Sequence, residues 1–159
     1  MKNNLKKSIL VIGFGNPGRL DDGLGPVFAE KFSKFKLVNV EIDSDYQLVV
    51  DDAADIAKHD IVILVDAATK GREPFYFEKI IPEPAMSFSS HSVSPTALMA
   101  MVHDLFDAKT KGYLLGIRGY EFNEYCEKLS PKAISNMEEA LLFIKKVVSE
   151  NSFEESLIN

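Results

Sequence analysis

Asp22, Asp66 and His91 are the side chains whose types and placement suggest joint chemistry. Asp22 lies in the loop GFGNPGRLDDGLG (residues 13–25), Asp66 ends the apolar run 61–65, and His91 sits in a serine-rich stretch. Two carboxylates brought face to face repel unless a cation lies between them or one binds a proton. An imidazole joining them makes a three-donor set with coordination positions left open, the pattern of a reactive metal centre rather than a closed structural one. Mixed oxygen and nitrogen donors suit zinc or nickel, with manganese a further match.

These residues can meet only if the elements around them bring them to one place. Residues 9–12 and 61–65 are continuous apolar runs, as for strands buried on both faces. Residues 24–35 place Leu24, Val27, Phe28, Phe32 and Phe35 at helical spacing, 37–42 alternate as a strand, and 49–58 read as a short helix. Residues 75–81 alternate weakly, as an antiparallel or edge strand would. A loop over 82–94 leads to a helix over 95–106, with Ser94 as its cap and proline just inside. A short strand follows at 113–117. Ser130 and Pro131 repeat the cap signal before a helix running to about Glu150, and 151–159 read as a frayed tail. The alternation predicts one domain over 1–159, a three-layer α/β/α sandwich around a mostly parallel sheet. Such sheets bind ligands beyond the carboxyl ends of their strands, where strand order reverses. In an order such as 2-1-3, Asp22 and Asp66 flank that point.

The other polar residues read more plainly. GFGNPG matches G-x-G-x-x-G, but Pro17 removes an amide, and Asp21 and Asp22 would repel a pyrophosphate from the helix start. Asp21 is expected to cap that helix. Asp43 or Asp45, at a strand end, could take a proton from an attacking water. His59 falls at the amino edge and His103 on a helix, and surface placement is expected for both. Asp51, Asp52 and Asp55 read as a solvated helix face. The lone cysteine, Cys126, allows neither an intrachain disulfide nor a cysteine cage, which fits the cytoplasm. A net charge of −6 gives no bulk attraction to nucleic acid or an anionic membrane. The start, MKNNLKKSILVIGFG, reads as a buried strand rather than a secretory leader, and no run approaches a membrane span of about 20 apolar residues.

Four motifs in order make the chain resemble the nickel–iron hydrogenase maturation proteases. They are ILVIGFGNPGRLDDGLG, IVILVDAA, SSHSVSPTALMA, and LLGIRGYEF followed by LSPKAI. The resemblance implies a twisted sheet of about five strands and an endopeptidase that removes a C-terminal extension from the hydrogenase large-subunit precursor. It implies a catalytic metal held by Asp22, Asp66 and His91, where relatives commonly carry glutamate at the first position. The metal would be nickel delivered with the precursor, with zinc or cadmium substituting in crystals. It would polarise the scissile carbonyl or acidify a bound water. Gly13, Gly15 and Asn16 would let substrate backbone approach closely. The rival readings are a chaperone that only holds the precursor, a metal- or nucleotide-binding module, and an esterase like the peptidyl-tRNA hydrolases. The last share V-G-L-G-N-P-G but continue to a histidine motif where this chain has LDDG.

Overall fold

The computed structural model describes residues 6–85 and 92–159. Five strands, β1 (Ile9–Phe14), β2 (Val40–Asp45), β3 (Ile61–Ala68), β4 (Phe75–Lys79) and β5 (Lys111–Arg118), form one sheet in the order β2-β1-β3-β5-β4. β2, β1, β3 and β5 run parallel, and β4 joins β5 antiparallel at the edge. The helices are α1 (Leu24–Ser33), α2 (Asp52–Ile56), α3 (Pro95–Phe106) and α4 (Pro131–Glu150).

The central strands divide their apolar residues between two cores. Ile9, Val11, Ile61, Ile63 and Val65 face Phe28 and Phe32 of α1 and Ala140 and Ile144 of α4. Leu10, Ile12, Val62 and Leu64 face Ile56 of α2 and Leu98, Met99 and Val102 of α3. Successive strand residues point to opposite faces, so a strand covered on both sides is apolar throughout. Ser94 and Ser130 cap α3 and α4 as the sequence predicts, accepting the Ala97 and Ala133 amides.

The segment 151–159 corrects the expectation of a frayed tail. Phe153 is buried against Tyr113, with ring centroids 5.3 Å apart. Ile158 exchanges backbone hydrogen bonds of 2.7 and 2.8 Å with Phe77, extending the sheet beyond β4. Glu154 accepts from the Tyr113 hydroxyl and from Lys79. α2 is shorter than predicted, and Asp52 at its start is buried rather than solvated.

Candidate active site

β1 and β3 are neighbours, so the loop after β1 and the end of β3 meet at the reversal of strand order. The chain leaves β1 through Gly15, whose φ of +143° suits glycine alone, and a side chain there would collide with the Asp22 carbonyl. It then forms a 3₁₀ turn over Leu20–Gly23 and enters α1. A Cβ on Gly25 would stand 2.6 Å from the Val65 carbonyl oxygen, so the first turn of α1 rests directly on the end of β3. This close approach sets Asp22 beside Asp66.

Both acids are half-buried. Asp22 accepts the Asn16 amide at 2.9 Å and Asp66 accepts the Ala67 amide at 2.8 Å. Burial pushes the Asp66 carboxyl up to about 6, and the charge of Asp22 adds to the effect against the opposing Ala67 hydrogen bond. Carboxyls raised by desolvation and a like charge are common at functional sites, and the switch point of an α/β sheet is where such sheets bind ligands.

His91 lies outside the described residues. The chain is described again from Ser92, and the Val93 amide donates to the carbonyl of Leu48, which follows the end of β2. Among the described residues, no three histidine, cysteine or acidic groups gather as a metal centre.

The glycine loop packs closely against the protein's own backbone. Gly13 and Gly15 are buried, and their missing side chains admit the protein's own backbone: Gly25 against Gly13, Asp22 against Gly15. Asn16 is half-buried, and its side-chain oxygen accepts the Gly18 amide at 2.9 Å. Asp43 and Asp45 end the edge strand β2, exposed, each bonded to the amide that follows it. Their charges act on Asp52, whose carboxyl is pushed up by burial and by Asp45, Asp43 and Asp55 against the hydrogen bond from Val49.

Asp21 corrects a second expectation. It is fully buried and caps no helix of its own; it accepts the Ser130 amide (2.7 Å), the Ser130 hydroxyl (2.7 Å), and the amides of Tyr120 (2.8 Å) and Glu121 (3.0 Å). Burial alone would raise its pKa, but these four hydrogen bonds outweigh it and hold the carboxyl below its ordinary value. Sequence reasoning missed this anchor because its partners lie about 100 residues on. His59 and His103 are also less exposed than predicted. The His59 imidazole is largely covered, donating to the Asp55 carbonyl at 2.8 Å, and His103 is half-buried against the Thr110 carbonyl. Cys126 is exposed.

The fold so defined is that of the hydrogenase maturation proteases. The NiFe hydrogenase maturation protease HycI of Thermococcus kodakarensis KOD1 superposes with a TM-score of 0.69 and 22% identity, over 92% of this chain and 95% of that one. The hydrogenase maturating endopeptidase HybD of Escherichia coli gives 0.68 and 20%, over 91% and 94%. The hydrogenase 2 maturation peptidase of a Thaumarchaeota archaeon gives 0.65 and 18%, over 90% and 99%. No protein-family model and no curated protein sequence matches the chain.

Proposed function

We propose that this chain is an endopeptidase that removes a C-terminal extension from the large-subunit precursor of a nickel–iron hydrogenase. The observation that carries the reading is the acidic pair Asp22 and Asp66 at the switch point, with Asp66 held near a pKa of 6. The kinship of fold with proteins named as hydrogenase maturation proteases supports the choice of substrate.

The residues present fit a divalent cation. Two half-buried carboxylates each use one oxygen on a backbone amide, and their mutual repulsion favours either a proton or a cation between them. Asp22, Asp66 and His91 would hold the ion, with Val93 anchoring the chain just after His91 to the loop that follows β2. Nickel enters on this reading as cargo of the precursor, and zinc or cadmium is the expected substitute. The ion would supply Lewis-acid polarisation of the scissile carbonyl or an acidified water. The protein's own part is positional: α1, pressed on β3, fixes Asp22, and the Asn16 and Ala67 amides orient the two carboxylates.

The test is to incubate the protein with nickel-loaded precursor and read the precursor's intact mass. Loss of a short C-terminal piece is expected, with His91→Ala abolishing it in a folded protein. An unchanged mass, with a stable complex formed, would show a holding protein and overturn the protease reading.

A further inference from the structure

Asp66 belongs to a row that crosses three strands. It is in register with Gly116 of β5, and Gly116 is in register with Tyr76 of β4. Residues in register on adjacent strands point to the same face of a sheet. Asp66, Gly116 and Tyr76 therefore share one face, with the glycine between the other two. A Cβ on Gly116 would stand 2.5 Å from the Tyr76 hydroxyl oxygen and closer still to its ring. The phenol thus leans from the edge strand over β5 towards β3, through space that only a glycine at 116 leaves open. Tyr113 and Tyr120 direct their hydroxyls to Glu154 and Glu73. Tyr76 is half-buried, and among the described residues its hydroxyl is bonded to no glutamate.

An aromatic ring laid over a cross-strand glycine also stabilises a sheet edge, a role that phenylalanine would fill equally well. The hydroxyl is what that role leaves unexplained. We infer that the Tyr76 hydroxyl is a substrate-contacting hydrogen-bond donor of the proposed cleavage site, aimed at the scissile carbonyl oxygen as it gains negative charge. The inference rests on the endopeptidase reading.

In the step concerned, water adds to the carbonyl carbon and the C=O π pair moves onto oxygen. The water's proton passes to a carboxylate of the site and then to the leaving amine as the C–N bond breaks. Tyr76 forms no covalent bond and keeps its proton, donating a hydrogen bond that strengthens as the oxyanion develops. Burial, with the charges of Glu78 and Asp66, pushes the phenol's pKa further above 10, in keeping with a donor that stays protonated.

The experiment compares wild type and Tyr76→Phe on nickel-loaded precursor, measuring kcat, KM and thermal midpoint. The ring is retained, so packing is retained. A kcat lower by about 100-fold, with KM and midpoint unchanged, is expected for loss of one oxyanion donor. Equal kcat in the two proteins would overturn the inference while leaving the endopeptidase reading standing. A raised KM with unchanged kcat would also overturn it, showing uniform binding instead. A wild-type protein that leaves the precursor whole would overturn both.

Discussion

Adjacent aspartates in one turn carry opposite relations to folding. Asp21 is buried and fully hydrogen-bonded, and its carboxyl lies below its ordinary value. It contributes stability above its unfolded pKa, and that contribution is lost as pH falls through the lower folded value. Asp21→Ala would strand the two buried donors of Ser130, at about 1–3 kcal/mol each, and free the part-buried amides of Tyr120 and Glu121. A loss of at least about 3 kcal/mol in urea denaturation at neutral pH is expected. Asp66 works the other way. Its folded value near 6 lies above the ordinary 3.8, so folding favours the protonated acid. Stability is intact below 3.8, falls as pH rises towards 6, and stays reduced above that by about 3 kcal/mol in the ion-free protein. Asp66→Asn should therefore raise the urea midpoint at neutral pH, with the gain fading to nothing towards pH ~4. A gain that persists at that pH would show that desolvation and the charge of Asp22 are not its source. Stability given up at a site is expected where function demands the strained group.

At the scale of elements, the central strands were legible because burial on both faces leaves a continuous apolar run, as at 9–12 and 61–65. Asp66 was legible as the first polar residue after such a run, and the sheet order then placed it beside the β1 loop. What could not be read depended on distant partners. The clamp of Asp21 needs Ser130, and the row Asp66–Gly116–Tyr76 needs the register of three strands. The segment NSFEESLIN looks polar, yet its Phe153 fills a gap beside Tyr113 and its Ile158 pairs with Phe77. Three apolar residues among nine, two of them adjacent, give too little periodicity to reveal a docked segment. Phe153→Ala should cost about 3–5 kcal/mol in thermal or urea unfolding, as for a buried aromatic. A cost near zero would show that the segment contributes nothing to the core.

For the whole molecule, the parallel strands β1, β2 and β3 aim their carboxyl ends at one edge and collect Asp22, Asp43, Asp45 and Asp66 there. With a net charge of −6, this edge favours a cation over any anionic ligand. Among the described residues no helix is long and apolar enough to cross a membrane. Millimolar zinc or nickel should raise the thermal midpoint more at neutral pH than near pH ~5, because protons compete with the ion for Asp66. Equal shifts at both values would place the ion elsewhere. The most direct test of the acidic pair as a cation-dependent cleavage centre is the intact mass of nickel-loaded hydrogenase precursor after incubation with wild type and with Asp66→Asn. The wild type is predicted to shorten the precursor, and the more stable Asp66→Asn protein to leave it whole. Undiminished shortening by a folded Asp66→Asn protein would contradict the role given to the pair.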